Sequence, residues 1–85
     1  MAQYKITLSK TAQKQLDKFP DNIAFPIIQT IKKLVSNPRP QGYKKLKGRE
    51  GYRIRQGNYR IIYEILDHVL LVAVIAIGQR KNIYE

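Results

Sequence analysis

The chain has 85 residues, with 16 lysines and arginines against 6 aspartates and glutamates, and its formal net charge at pH 7 is +10. This length predicts a single domain over residues 1–85 and leaves little room for a pocket that encloses a cofactor. The chain contains no cysteine and one histidine, which excludes a disulfide framework, a thiolate metal site and a cysteine nucleophile. We therefore expect a protein that needs no metal or other cofactor.

The excess of positive charge predicts a polyanionic partner, because +10 on a body of 9.9 kDa repels itself and costs stability. The N-terminal residues contain no apolar run of the kind found in signal peptides. The longest apolar run, Val69–Ile77, is far shorter than the about 20 residues that a membrane-spanning helix requires. We expect a soluble, cytoplasmic protein that has no membrane partner.

The first predicted elements are a strand and a short helix. Tyr4–Leu8 alternates between polar and apolar residues, which is typical of a strand. Ser9 has the side chain of an N-cap and predicts a helix over residues 10–18, which Pro20 ends. The N-terminal part of the chain therefore begins with a β-α unit.

A second helix is predicted directly after Pro20. Asp21 is its expected cap, and Pro26 is expected to kink or loosen its first turn. The helix should end before Asn37–Pro40, since residues that precede proline avoid helical geometry. Its apolar residues recur at helical spacing, and they are Ile23, Ile27, Ile28, Ile31, Leu34 and Val35.

The period of the apolar pattern changes from 3.6 to 2 in the second half of the chain, which predicts three strands. Two-residue turns are expected between them, at Gly57-Asn58 and at Asp67-His68. The resulting β-α-α-β-β-β order predicts an α+β fold, in which two N-terminal helices pack on one face of a small, mainly antiparallel sheet. The three strands are Tyr52–Gln56, Tyr59–Leu66 and Val69–Ile77.

A two-residue turn at Gly57-Asn58 would place Arg55 directly opposite Arg60, on the same face as Arg53 and Glu64. Two arginines that face each other are destabilising unless an anion lies between them. One glutamate does not neutralise three arginines, so this face predicts an anion-binding site. The alternative is a solvated charged face on which Glu64 pairs with one of the arginines. The opposite face carries the expected core residues, which are Tyr52, Ile54, Ile61, Tyr63 and Ile65.

A two-residue turn at Asp67-His68 would add an apolar stripe to the arginine side of the sheet. This stripe needs a cover, which is either the tail after Gly78 or a partner chain. Its members are Leu71, Ala73, Ile75 and Ile77.

Three segments resemble conserved parts of a known toxin family. The segment Tyr52–Ile65, which reads YRIRQGNYRIIYEI, resembles the central hairpin of the RelE/ParE toxin superfamily. Lys45–Gly48 and Gly78–Tyr84 fit the pattern of the same superfamily, as does the opening strand with its helical pair. The likeness covers nearly the whole chain and is closer to the RelE branch than to the ParE branch.

The resemblance implies the toxin of a type II toxin–antitoxin system, with an RelE-like fold. RelE-type toxins are metal-free ribonucleases that cut mRNA in the ribosomal A site. The ribose 2′-hydroxyl is the nucleophile, and the products are a 2′,3′-cyclic phosphate and a 5′-hydroxyl. The implied partners are the ribosome, its mRNA and a cognate antitoxin, which would cover the apolar stripe. Operator DNA is expected to bind only through the toxin–antitoxin complex.

The resemblance also assigns the site residues. Arg60 and Arg80 would stabilise the charge of the transition state, Arg55 would contribute to catalysis and hold phosphate, and Tyr84 would stack on a base or move a proton. The residues implied to bind RNA phosphate are Lys45, Lys47, Arg53 and Arg55.

The sequence departs from the RelE pattern at Arg53 and Arg55, where the best-known RelE type has lysines. Arginine does not lose its proton in proteins, so neither residue replaces a lysine that acts as a general base. The base is left open among Tyr84, Lys47 and a group of the ribosome. Two other functions also stay open, which are gyrase inhibition of the ParE kind and non-catalytic nucleic-acid binding.

Overall fold

Two helices lie against one face of a five-stranded sheet in the computed structural model, which describes residues 3–79. The strand order is β1-β5-β4-β3-β2, and β1 runs parallel to β5 while the other neighbours are antiparallel. The predicted α+β fold is confirmed. The elements are β1 (Lys5–Leu8), α1 (Lys10–Lys18), α2 (Asp21–Lys33), β2 (Lys44–Lys45), β3 (Tyr52–Gln56), β4 (Tyr59–Leu66) and β5 (Leu71–Gln79).

Both helices begin where the sequence predicts, although the cap of α2 differs. The Ser9 hydroxyl accepts the backbone N–H of Ala12 at 3.0 Å, which confirms it as the cap of α1. Pro20 occupies the cap position of α2, and Asp21 is the first helical residue. The prediction of Asp21 as the cap was therefore wrong, although a carboxylate in the first turn still complements the helix dipole. The helix continues through Pro26.

The core lies between the helices and one face of the sheet. Ala12 of α1 and Ile27 of α2 are fully buried against Ile61 and Tyr63 of β4. This confirms that the apolar residues of the hairpin face the helices. No helix among residues 3–79 is long and apolar enough to cross a membrane.

The connection between β4 and β5 differs from the predicted two-residue turn and changes the pairing of the residues in the predicted apolar stripe. Asp67–Val69 forms a short 3₁₀ turn and Leu70 adopts a left-handed conformation, so Leu66 pairs with Leu71 rather than with Val69. The predicted two-residue turn was wrong. Because the connection is longer by two residues, Leu71 and Ala73 still lie on the arginine side.

A β-bulge then changes the face of the remaining residues of β5. The register shifts between Ile62, which pairs with Ala76, and Tyr63, which pairs with Val74, so Ile75 has no direct partner. Ile77 consequently pairs with Ile61 and is fully buried under the helices. Its predicted place on the arginine side was wrong.

The short strand β2 was not predicted. Two residues are too few to show a period of two, and their pairing with β3 is visible only in the folded chain. Lys44 pairs with Arg53, and Lys45 pairs with Tyr52.

A buried hydrogen bond fixes the segment that follows α2. The Tyr63 hydroxyl donates to the Pro38 carbonyl at 2.7 Å, and the side chain is fully buried. Burial raises the pKa of the Tyr63 hydroxyl, which therefore stays protonated and available as a donor. This contact attaches the segment between α2 and β2 to the centre of the sheet.

We expect Tyr63→Phe to lower the free energy of unfolding by about 1–2 kcal/mol, because the Pro38 carbonyl would lose its partner inside the protein. Thermal unfolding measures the loss, and each kcal/mol corresponds to about 4–8 °C in a domain of this size. Tyr43→Phe is the matched control, since the Tyr43 hydroxyl forms no hydrogen bond within residues 3–79. Equal stability of both variants would contradict this role of Tyr63.

An exposed cluster of side chains joins the N-terminus, the α2–β2 segment and the β4–β5 connection. Arg39 donates to both carboxylate oxygens of Asp67, at 3.2 and 2.7 Å, and the Tyr4 hydroxyl donates to the same carboxylate at 2.6 Å. The hydrogen bonds from Arg39 and then from Tyr4 hold the pKa of Asp67 at about 2, below its ordinary 3.8.

Because the pKa of Asp67 is lowered by folding, its contribution to stability is present above pH 3.8 and lost as the pH falls through about 2. We therefore expect Asp67→Asn to be less stable than the native chain at pH 6, with a difference that shrinks between about pH 4 and pH 2. Urea unfolding across this range measures it. Asp17→Asn, a change at an exposed aspartate of α1 outside the cluster, is the control. A difference that stays constant down to pH 2 would contradict the assignment.

Candidate functional site

The hairpin of β3 and β4 brings two arginines face to face. Gly57 begins the turn with a φ of 60°, which suits glycine, while Asn58 has no positive φ, as expected for a type II′ turn. Gln56 pairs with Tyr59, and Arg55 pairs with Arg60. The predicted register is confirmed, and with it the close approach of two positive charges.

The two arginines differ in their exposure. Arg55 is exposed, whereas Arg60 retains 7% of its accessible surface. Arg53 lies on the same face of β3 and retains 9%. Guanidinium groups stay charged when they are buried, so this face holds fixed positive charge in a partly desolvated environment, where it attracts anions more strongly than in water.

A space of about 320 Å³ is lined by Lys44, Lys45, Lys47 and Arg53, and we call it the cationic pocket. It lies beside the Arg55–Arg60 pair, because Arg53 is on the same face of β3 as Arg55. Lys44 shares a face with Arg53 across the β2–β3 ladder. Lys45 pairs with Tyr52 and starts from the opposite face, but β2 is the edge of the sheet and its side chain still lines the pocket. All four lining residues carry positive charge.

Among residues 3–79, Glu64 does not form the ion pair with an arginine that the alternative of a solvated charged face predicts. Glu64 lies on the arginine side of β4 and forms no ion pair with another residue of the range 3–79. The three lysines of the cationic pocket likewise form no salt bridge within this range.

The structure brings together five of the residues that the sequence singled out. Lys45, Lys47 and Arg53 line the cationic pocket, and Arg55 faces Arg60 next to it. The other two, Arg80 and Tyr84, lie outside the described residues, and their roles stay predictions.

Lys44 is the pocket residue that the sequence analysis did not select. The pair of lysines was visible in the sequence, but the pairing of Lys44 with Arg53 follows from β2. Within residues 3–79, no group of three or more histidine, aspartate or glutamate side chains is arranged to hold a metal ion.

Comparison with known proteins places this chain in a family. The family model described as "ParE toxin of type II toxin-antitoxin system, parDE" matches residues 6–84. The chain belongs to the RelE/ParE toxin superfamily. The toxin RelE of Mycobacterium tuberculosis is 30% identical over 84 residues, which are 96% of this chain and 87% of that protein.

Two solved structures support the RelE-like fold. The RelB–RelE antitoxin–toxin complex of Methanococcus jannaschii contains a chain with 32% identity and a TM-score of 0.69, with 91% of this toxin and 93% of that chain covered. The toxin–antitoxin complex RelBE2 of Mycobacterium tuberculosis contains a chain with a TM-score of 0.83 at 24% identity, with 93% and 100% covered. The latter likeness concerns the fold alone.

We expect Arg55→Gln to stabilise the free toxin by about 0.5 kcal/mol, because it removes a like charge directly opposite Arg60. The gain should shrink at high salt, since the repulsion is screened there. Thermal unfolding at low and high ionic strength measures both effects. Arg49→Gln makes the same change of net charge at an exposed position of the β2–β3 connection and is the control. A destabilised Arg55→Gln would contradict the repulsion.

Proposed function

We propose that this toxin is a ribosome-dependent mRNA endonuclease that inhibits translation by cutting mRNA in the A site. The facing of Arg55 and Arg60 is the observation that carries the proposal. A pair of like charges on neighbouring strands costs stability in the free protein. A phosphate between the two guanidinium groups converts that cost into a gain, because arginine presents paired donors that match phosphate oxygens.

The proposed reaction is an in-line displacement within the RNA. The ribose 2′-oxygen attacks the adjacent phosphorus as a base takes its proton, and the bond from phosphorus to the 5′-oxygen breaks. The leaving 5′-oxygen takes up a proton, which gives a 2′,3′-cyclic phosphate and a 5′-hydroxyl. Negative charge grows on the phosphoryl oxygens in the transition state, and donors that are already fixed in place stabilise it. Arg60 is suited to this role because it is buried.

Proton transfer is the second requirement of this reaction. Arg53 and Arg55 hold their protons and act through charge alone. Lys47 is the candidate base that lies within the described site, where it lines the cationic pocket. Tyr84 and a group of the ribosome are the other candidates, and Arg80 is proposed to share the phosphoryl charge with Arg60.

A cognate antitoxin is the proposed protein partner in the cytoplasm. Solved RelB–RelE complexes show that relatives assemble in this way. On the arginine side, β5 presents half-buried apolar residues that suit a covering chain, and they are Leu71, Ala73 and Ala76. We propose that operator DNA binds the toxin only through this complex.

Inhibition of DNA gyrase is the second candidate function, because the family model that matches residues 6–84 is described as a ParE toxin. Inhibition of gyrase does not require a phosphate-binding site on the toxin. The Arg55–Arg60 pair and the cationic pocket therefore favour RNA cleavage.

We expect the native toxin to cut a defined mRNA at the A-site codon of stalled ribosomes, and Arg55→Ala to cut it at least about tenfold more slowly. Primer extension over time gives the rate and the position of the cut. Arg60→Lys keeps the buried charge but loses the paired donors, so it should also be slow, and it tests Arg60 without leaving a cavity.

Lys14→Ala, a change of charge on the exposed side of α1, is the matched control and should retain the native rate. Intact mRNA with the native toxin would refute the nuclease proposal. A supercoiling assay with gyrase then tests the second candidate on the same protein.

A further inference from the structure

The second half of β5 receives hydrogen bonds from two side chains at α1 where β1 no longer runs beside it. The pairing of β1 with β5 ends at Val74. Farther along this edge, the Ser9 hydroxyl donates to the Ile75 carbonyl at 2.5 Å. The side-chain oxygen of Gln15 accepts the Ile77 N–H at 2.6 Å. The cap of α1 and one residue of the helix therefore supply the bonds that a neighbouring strand would otherwise supply.

The contacts of Ser9 lie at the bulge of β5. Carbonyl groups of neighbouring residues in a regular strand point to opposite sides. Here the Ser9 N–H donates to the Val74 carbonyl at 2.9 Å, and the hydroxyl donates to the next carbonyl, that of Ile75. Two successive carbonyls facing one residue are the distortion that an extra residue produces. Because the same hydroxyl accepts the Ala12 N–H, the bulge is attached to the beginning of α1.

The bulge determines which residue of β5 lies beside Arg60. With the extra residue in place, Arg60 pairs with Gly78, and directly paired residues point to the same face of the sheet. Without it, uninterrupted pairing along β4 would bring Ile77 opposite Arg60 instead. The Cβ atoms of such a pair are about 5 Å apart, so an isoleucine would fill space beside the arginine. Gly78 adds no side chain on this side of Arg60, and Arg55 lies on the other.

We propose that Ser9 and Gln15 are positioning residues, which hold the register of β5 that places Gly78 beside Arg60 and so keeps room for the reacting phosphate. Their effect on the site passes through β5. The identification of the ligand as the reacting phosphate rests on the proposed function, whereas the control of the register by Ser9 and Gln15 does not.

Paired variants separate the register of β5 from the capping of α1. In Ser9→Asp/Gln15→Met, the aspartate still caps the helix, but neither side chain supplies its hydrogen bond to β5. In Ser9→Thr/Gln15→Glu, the hydroxyl donor and an acceptor oxygen are both kept. Each double variant adds one negative charge. Gln13→Met is the matched control, because Gln13 is exposed and its amide donates to Asp17 of the same helix.

NMR measures the register without any substrate. The Ile77 N–H points away from β4, so Ile61 and Ile77 form the closer, non-hydrogen-bonded kind of pair, and their Hα protons should give a strong NOE. We expect this NOE to weaken in Ser9→Asp/Gln15→Met, with a new one between Arg60 and Ile77, and to persist in the other two variants. An unchanged NOE in Ser9→Asp/Gln15→Met would overturn the proposal.

Binding of inorganic phosphate tests the consequence for Arg60 apart from cleavage. A titration at low salt follows the NMR signals of the Arg60 side chain. We expect Ser9→Asp/Gln15→Met to bind phosphate at least about threefold more weakly than Ser9→Thr/Gln15→Glu, which has the same net charge. Gly78→Val places a side chain beside Arg60 and leaves the contacts with α1 intact, so it should weaken binding to a similar extent. Equal binding by these variants would overturn the positioning role.

Cleavage on stalled ribosomes shows whether the register acts on the reaction, at a temperature well below the unfolding midpoint of every variant. Because charge grows beside Arg60 in the transition state, Ser9→Asp/Gln15→Met and Gly78→Val should lower the maximal rate about tenfold. The toxin concentration for half-maximal cleavage should change less than about twofold. Ser9→Thr/Gln15→Glu and Gln13→Met should keep at least about half of the native rate.

The outcomes of the ribosome experiment separate the two proposals. A native maximal rate in Gly78→Val or in Ser9→Asp/Gln15→Met would overturn the positioning role. An equal loss in Ser9→Thr/Gln15→Glu would also overturn it, since that variant keeps both hydrogen bonds. Intact mRNA with the native toxin would refute the nuclease proposal alone, because the NOE and the phosphate titration do not depend on cleavage.

Discussion

The register of the β3–β4 hairpin is the constraint on which the rest of the structure depends. A turn of two residues that begins with Gly57 determines which side chains of both strands point to the helices and which point away. A shift by one residue would move Tyr63 out of the core and Arg60 into it. One turn therefore determines at once where the core lies and where the positive charge collects.

The two faces of this sheet carry different kinds of side chain, apolar on the helix side and positively charged on the arginine side. The helix side is determined by packing, and Ile61, Tyr63 and Ile77 are fully buried there beneath the helices. The arginine side carries Arg53 and Arg60 at low exposure, and Arg55 lies directly opposite Arg60, where like charges repel. The proposed RNA ligand would give this arrangement a physical reason, because its phosphates would neutralise the charge of the arginines.

The structure differs from the prediction where contacts between segments far apart in the sequence determine the local conformation. The β-bulge that leaves Ile75 without a direct partner moves Ile77 from the arginine side to the core, yet the apolar run that contains both residues looks uniform in the sequence. The turn at Asp67 is likewise longer than two residues, and its carboxylate is held by Arg39, which precedes it by 28 residues. Contacts between distant segments decide such details.

The sequence by itself determined the two helices, the three longer strands, the Arg55–Arg60 pairing and the membership of the RelE/ParE toxin superfamily. The helices, the strands and the arginine pairing follow from local rules, because periodicity, caps and tight turns act over a few residues, whereas the membership follows from the resemblance of longer segments. Only the tertiary structure decided the parallel pairing of β1 with β5, the bulge in β5 and the cationic pocket. The pocket forms because Lys44 and Lys47 are brought to Arg53 by the pairing of a two-residue strand, which has too few residues to show a pattern of its own.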